Sequence, residues 1–417
     1  MDVKSYIESI ARQAKNASFS LAMLSTEEKN AALVKMAQAL ESDKDYIIAE
    51  NKKDMEAADE NGLSKAMKDR LLLNEKRVYA MAESIREIAA FNDPVGEVIS
   101  GWRNKDDLWI QKVRVPIGVI GIIYESRPNV TSDCIALALK SSNAVILKGG
   151  KEAINSNRAI YKVLSDSISD LGIPEGAVNF IDTTDRDAVK ALLKQRDLVD
   201  LIIPRGGEGL IKFVTENSLV PVIKHYKGVC HEYVDKSADV DMAVEICFNA
   251  KVQRPGVCNA IEKIIVHREI AEVFLPKLEK RLSTAGVEIR GDEFSCGIIN
   301  CKEAGEDDWY KEYLDLIVAI KVVDSLQDAI NWINLHGSHH SDGIITRDYA
   351  SAQAFLRAVD SSSVYVNAST RFTDGGVFGL GAEVGISTDK LHARGPMGVE
   401  ELTTYKYMVF GNGQVRR

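Results

Sequence analysis

The chain has 417 residues, 45% of them hydrophobic and 27% charged, and a formal net charge of -9. That length implies two or three domains with sizeable cores and excludes a disordered chain, while the acidic balance speaks against nucleic acid as the main partner. The six cysteines form no CxxC pair, and a chain this long needs no disulfide framework, so reduced thiols are expected and a cysteine nucleophile is chemically available.

The N-terminal segment MDVKSYIESIARQAKN breaks its apolar residues with charges every few positions. It offers no continuous run for a signal peptide or a membrane span, so a cytoplasmic protein with no membrane partner is expected. Residues 1 to about 92 read as helix after helix: STEEKNAALVKMAQAL opens with a capping box from Ser25 to Glu28, and Leu33, Met36, Ala37 and Leu40 recur at helical spacing. The hydrophilic GWRNKDDLWIQKVRV that follows has the character of an exposed hairpin. Its open edge invites another subunit, which predicts a homo-oligomer.

From about residue 110 the period changes. RVPIGVIGIIYE, NAVILKGG, AVNFID, LVDLIIP and VPVIK are short apolar runs, separated by helix-length segments such as EAINSNRAIYKVLSDSI, DAVKALLKQ and EGLIKFVTEN. Strands without polar alternation imply a parallel sheet covered on both faces, a doubly wound α/β domain that binds ligands at the carboxyl ends of its strands. A second α/β domain starts near Tyr233, with DVDMAVEICFNAKV, REIAEVFLPKLEKRL and SLQDAINWINLH as helices and AIEKIIVH, LIVAIKVV and DGIITRD as strands. The Gly-rich tract TDGGVFGLGAEVGISTDKLHARGPMGVE reads as loop and TTYKYMVF as a final strand. The expected divisions are 1–232, 233–365 and 366–417.

Cys258 lies behind a Pro-Gly pair in QRPGVCNA. Such a turn can present a thiolate beside amide donors, although free cysteine is also among the most buried residue types; both readings stand on the residues alone. Cys134 and Cys247 sit on apolar helical segments and read as core, with Cys230 and Cys296 as lesser candidates. His336, His339 and His340 in LHGSHHSDG, and Cys230 with His231, lack the spacing of a metal site, so none is expected. VILKGGKEA ends a strand with Lys148, Gly149, Gly150 and Lys151, and IIPRGGEGLI does the same with Arg205, Gly206 and Gly207. Either is an ordinary strand-to-helix turn or a place where backbone and cation meet a nucleotide phosphate.

GVIGIIYESRPN, VILKGGKEA, LIIPRGG and QRPGVCNA, in that order, resemble the aldehyde dehydrogenase superfamily over nearly the whole chain. YESRPNVTSD, KGGKEA, PRGG and GISTDKLHARGPMGVEELTTYKY are similar to its branch that reduces an amino-acid acyl phosphate. The resemblance implies an aldehyde-dehydrogenase-like fold: an NADP-binding domain, a catalytic domain with Cys258 as nucleophile, and an oligomerisation element from the hairpin at about 101–115 and the C-terminal tail. It also implies reduction of L-glutamyl 5-phosphate by NADPH to L-glutamate 5-semialdehyde and phosphate, in proline biosynthesis. The lability of that substrate suggests a transient complex with the glutamate 5-kinase that makes it. A cysteine hydrolase or transferase on a similar frame is the alternative, and it would have no need of the cofactor turns.

Further roles follow from the resemblance. Asn129 or Asn259, with backbone amides, would stabilise the oxyanion. Hydrolysing members carry a glutamate as base for the deacylating water, where this chain has His225 in KHYKGVC; that loss suits a thioester that must escape hydrolysis. Lys151 stands about where NAD-preferring members place a ribose-binding glutamate, which favours NADP(H). Glu312 in KEYLDLIVAI falls where the superfamily holds the nicotinamide ribose. Arg127, Arg254 and Arg394 are candidates for the substrate's carboxylate and phosphate, because guanidinium groups grip both in two-point fashion.

Overall fold

The computed structural model describes residues 2–224, 227–380 and 382–416. By contacts the chain divides into two units, one of Met1–Lys224, Gly379–Gly385 and Met397–Arg417, the other of His225–Phe378 and Ile386–Pro396.

Unit 1 opens with five helices, α1 (Val3–Leu21), α2 (Thr26–Ser42), α3 (Lys44–Glu60), α4 (Lys65–Leu71) and α5 (Glu75–Ala90). The expected capping box is present, with the Glu28 amide donating to Ser25 Oγ and the Ser25 amide donating to Glu28 Oε2 at 2.7 Å. Leu33, Met36, Ala37 and Leu40 are fully buried, each larger side chain contributing about 1.5–3 kcal/mol. Asp54 on α3 fastens this layer to the sheet domain: its Oδ2 accepts from the amide of Ser156 at 2.8 Å, in the first turn of α7 (Ile154–Ser167). A carboxylate there answers the unpaired amides of the helix start.

The hairpin consists of β1 (Val98–Arg103) and β2 (Trp109–Pro116), antiparallel, and the C-terminal strand β16 (Thr403–Phe410) pairs with β2 on its other side. The sheet domain runs β3 (Val119–Tyr124), α6 (Asn129–Lys140), β4 (Ala144–Lys148), α7, β5 (Val178–Phe180), α8 (Asp187–Leu192), β6 (Leu201–Arg205) and α9 (Glu208–Asn217). The four strands are parallel in the order β5-β4-β3-β6. The order reverses between β3 and β6, and an open α/β sheet forms its ligand crevice at the carboxyl ends of such a pair. VPVIK does not make the expected strand; Val222 forms a single parallel bridge to Ile202, and Pro221 has no amide to extend a ladder.

Unit 2 holds a seven-stranded parallel sheet ordered β10-β9-β11-β8-β7-β12-β13. Its strands are β7 (Cys230–Val234), β8 (Ile261–His267), β9 (Glu288–Gly291), β10 (Lys302–Glu303), β11 (Ile317–Val323), β12 (Ser341–Ile345) and β13 (Ser363–Val366). The helices are α10 (Val240–Val252), α11 (Arg268–Ser283), α12 (Glu293–Cys296), α13 (Leu326–His336) and α14 (Tyr349–Ala358). Cys247, Ile264, Phe274 and Val318 belong to its main core. Tyr233, where a second domain was expected to start, lies inside β7.

Two expectations are corrected here. The Gly-rich tract is not loop throughout: it contains β14 (Gly385–Ser387) and β15 (Gly395–Met397), which pair with each other. The thiols are not all reduced, since Cys296 and Cys301 form a disulfide with Cα atoms 5.4 Å apart. Cys296 ends α12, and the turn that follows the helix brings the chain back to it within five residues.

Candidate active site

The turns after β3, β4 and β6 meet at the carboxyl end of the unit 1 sheet. Lys148 is buried and its Nζ donates to the Gly149 carbonyl at 2.8 Å; burial pulls its proton affinity below the ordinary lysine range. A Cβ would run into the Asn157 amide at Gly149 and the Glu152 carboxylate at Gly150, so either substitution would force those side chains aside. Lys151 is exposed at the start of a short 3-10 turn. Glu152 is drawn away from it, Oε1 accepting from the Ser126 amide at 2.7 Å and the Ser126 hydroxyl at 2.6 Å. Ser126 adopts φ 44°, a left-handed conformation that brings its amide to this carboxylate. Across the strand-order reversal, the Gly207 amide donates to Glu125 Oε2 at 2.8 Å, so the start of α9 already faces an anion. Arg205 lies 3.7 Å from Glu383.

Arg127 and Asn129 stand where β3 leads into α6. Asn129 is exposed and its Nδ2 donates to Asp133 Oδ2 at 3.0 Å, with Ser84 Oγ donating to the same carboxylate at 3.1 Å. Burial pushes Asp133 up to about 6.

In unit 2, Cys258 sits on the turn between α10 and β8, at the amino ends of β7 and β8. Of the cysteines outside the disulfide it is the one that is not buried; Cys134, Cys230 and Cys247 are enclosed. Burial first, then nearby acidic groups, pushes the Cys230 thiol up, and it is the first residue of β7. The backbone of Cys258 is held from two directions. Cys230 Sγ donates to its carbonyl at 3.1 Å. Gly228 packs so closely that a Cβ there would overlap the carbonyl oxygen and Cα of Cys258. The Gly228 amide in turn donates to Glu312 Oε1 at 2.8 Å.

Asn259 is not available as an oxyanion donor. It is 5% exposed, its Nδ2 donates to the Thr373 carbonyl at 2.7 Å, and its Oδ1 accepts from Arg371 Nη1. Arg394 is paired with Asp360, Nη1 to Oδ1 at 2.9 Å and Nη2 to the backbone carbonyl at 2.9 Å. Arg254 is exposed on the Cys258 turn. His225 lies outside the described residues. The histidines of LHGSHHSDG are mostly buried: His336 ends α13 and stacks on Trp332 at 3.9 Å between ring centres, and His340 is enclosed with its Nδ1 2.8 Å from Ser341 Oγ. Among the described residues no group of three His, Cys, Asp or Glu is placed to hold a metal, and no helix is long and apolar enough to cross a membrane.

The pattern of the aldehyde dehydrogenase family matches residues 2–304. The gamma-glutamyl phosphate reductase of Geotalea daltonii is 55% identical over 421 residues, covering 100% of both chains. The crystal structure of the Thermotoga maritima gamma-glutamyl phosphate reductase superposes with a TM-score of 0.96 at 48% identity, covering 99% of this chain and 100% of that one. The chain belongs to the aldehyde dehydrogenase family, among its gamma-glutamyl phosphate reductases. An engineered glycolyl-CoA reductase with bound NADP+ shares the fold at a TM-score of 0.68 and 15% identity, covering 97% of this chain and 96% of that one.

Two residues of the site, Gly228 and Arg371, had no signal in the sequence reading. Gly228 and Glu312 meet across 84 positions, and only the fold brings Gly228 against Cys258. Arg371 lies in a stretch that carries no motif of its own, and its side chain reaches back to Gln253 and Asn259, on either side of Cys258.

Proposed function

We propose that this chain reduces L-glutamyl 5-phosphate to L-glutamate 5-semialdehyde and phosphate with NADPH, through a thioester on Cys258. The observation that carries this reading is the Cys258 turn: one half-buried cysteine outside the disulfide, its backbone locked by Gly228 and Cys230. The thiolate forms a C–S bond with the acyl carbon as the C–O bond to phosphate breaks and phosphate leaves with that electron pair. A nicotinamide cofactor, when bound, supplies the hydride that reduces the thioester. Collapse of the resulting thiohemiacetal breaks the C–S bond, returns the thiolate and frees the aldehyde. With His225 in place of the family's glutamate, the chain does not present that carboxylate to draw a proton from water, which protects the thioester.

The strand-order reversal at β3 and β6 and the glycine cradle after β4 fit a dinucleotide. Lys148, Gly149, Gly150, Arg205, Gly206 and Gly207 would line it, with Glu312 toward the nicotinamide ribose. Lys151 is exposed while Glu152 is turned into Ser126, which supports a 2′-phosphate over a bare ribose hydroxyl. Arg127 and Arg254 are proposed to meet the substrate, and Asn129 to meet the oxyanion. The fully exposed edge strand β1, with Trp102, Tyr407 and Phe410 on the same sheet, supports a homo-oligomer. The labile substrate is the argument for a transient glutamate 5-kinase complex.

The test is NADPH absorbance in the reverse direction with glutamate semialdehyde, NADP+ and phosphate. A signal that needs phosphate and falls by at least about a thousandfold in Cys258→Ser is expected. Undiminished turnover without phosphate would mean water deacylates the enzyme, and the acyl-phosphate reading would be wrong.

A further inference from the structure

Arg371 occupies a 3-10 turn, Thr370–Phe372, in unit 2. Its guanidinium is tied at two points to the segment that carries Cys258. Nε donates to Gln253 Oε1 at 2.8 Å, five residues before the cysteine, and Nη1 donates to Asn259 Oδ1, one residue after it. Asn259 is itself fixed to the Thr373 carbonyl, and Thr370 Oγ1 donates to the Asn259 carbonyl at 2.7 Å. The turn that bears Arg371 and the turn that bears Cys258 are therefore one clasped assembly. Neither neutral anchor cancels the guanidinium's charge.

A second cation, Arg254, stands on the same segment. The electrostatic neighbours of Arg371 are Arg254, the Cys258 and Cys230 thiols and Asp374; burial first, then the charge of Arg254, lowers its proton affinity. Arginine nevertheless stays charged. Two guanidinium groups gathered beside a half-buried thiol, with the one carboxylate of Asp374 near Arg371, leave positive charge in excess there, and their planar forks match a phosphoryl group. Pairing with the Cys258 thiolate before attack and with departing phosphate afterwards would satisfy both at the stages where negative charge accumulates.

We propose that Arg371, clasped to Gln253 and Asn259 around Cys258, grips the phosphoryl group of the acyl phosphate, with Arg254 as its partner. This assignment rests on the acyl-phosphate reading above. It makes Arg371 a substrate-contacting residue and gives Asn259 the task of aiming it.

The experiment uses the full chain and inorganic phosphate as the probe. In the reverse assay, Arg371→Gln should raise KM for phosphate about ten- to a hundredfold, with a smaller change in KM for NADP+, and Arg371→Lys should fall between it and wild type. Without turnover, alkylation of Cys258 by iodoacetamide should be slowed by phosphate in wild type and not in Arg371→Gln. The alkylation rate should also rise with pH at a higher midpoint in the variant, because a neighbouring cation favours the thiolate. Melting temperature and NADP+ binding verify that the variants are folded, and Arg371→Lys retains the test should the glutamine variant not fold. A folded variant with wild-type phosphate KM and wild-type phosphate protection overturns the role of Arg371. If wild type itself neither needs phosphate nor is protected by it, the acyl-phosphate reading fails and takes this assignment with it.

Discussion

The glycine turns of unit 1 and the cysteine turn of unit 2 are built on opposite principles. At the carboxyl end of the unit 1 sheet, each turn follows its own strand. Several close contacts are local or bridge adjacent strands: Lys148 to Gly149, Ser126 to Glu152, Gly207 to Glu125. At the amino end of the unit 2 sheet, Cys258 is positioned by Gly228, Cys230, Glu312 and Arg371, drawn from distant parts of the chain. The first arrangement offers a backbone cradle whose side chains can shift. The second immobilises one atom, as a nucleophile requires, since a misplacement of about 1 Å can cost about a hundredfold in rate.

A methyl group at one tightly packed glycine of each region separates the two most sharply. In Gly228→Ala the new carbon meets main-chain atoms of Cys258, which cannot move without moving the thiol. In Gly206→Ala it meets the end of Glu125 and a methyl of Leu210, side-chain ends that can turn aside, Glu125 at the cost of its bond from the Gly207 amide. Gly228→Ala should lose about a hundredfold or more in kcat and about 1–3 kcal/mol of stability. Gly206→Ala should lose tenfold or less, mainly in KM for NADP+. Equal losses in steady-state kinetics would erase the distinction.

The same contrast governs what the sequence reveals. The unit 1 turns stand in short strings, VILKGGKEA and IIPRGGEGL, where strand, glycines and cations are contiguous, and the crevice rule for parallel sheets says where to look. The hairpin, the parallel strands and the α2 capping box are legible for the same reason, because local pattern decides them. The unit 2 site lies at the end of its sheet that the crevice rule does not single out. Its supports are residues whose types carry no message: a glycine in KGVC, an arginine in STRF. Composition gave Cys258 two readings, and resemblance supplied the preference that burial of its free rivals now reinforces. Arg394 and Asn259 were attractive for their chemistry, yet Asp360 and Thr373 engage them through contacts that no linear motif encodes.

Glu312 sharpens the comparison at intermediate strength. As the acceptor for the Gly228 amide it belongs to the clamp on Cys258, while the resemblance assigns it to the nicotinamide ribose. Glu312→Ala leaves a partly buried amide without its acceptor, at a cost of about 1–3 kcal/mol, and should lower kcat about tenfold. Glu312→Gln keeps an acceptor oxygen and should retain most of the activity. The clamp also predicts altered iodoacetamide reactivity of Cys258 in Glu312→Ala with no cofactor present. An effect confined to KM for NADP+ would instead assign Glu312 to the cofactor alone.

The smallest effect is expected at Asp133 in unit 1, where a titrating group sits beneath Asn129. Burial raises its carboxyl from an ordinary 3.8 to about 6, against the pull of the Asn129 and Ser84 donors and the charge of Arg205. Between those two values the folded chain binds more protons at this site than the unfolded chain, so stability falls as pH rises through that window and levels off above it. Asp133→Asn removes the titration, and the Asn129 amide can turn to present its oxygen to the new Nδ2. The variant's melting temperature should therefore gain on wild type between about pH 4 and pH 6, reaching an advantage of about 1 kcal/mol at pH 7, a value reduced because the residue is partly exposed. Parallel melting curves across that range would show that Asp133 is solvated well enough to titrate normally. In that case the start of α6 would be as adaptable as the glycine turns beside it, and Asn129 would lack a fixed support for meeting an oxyanion.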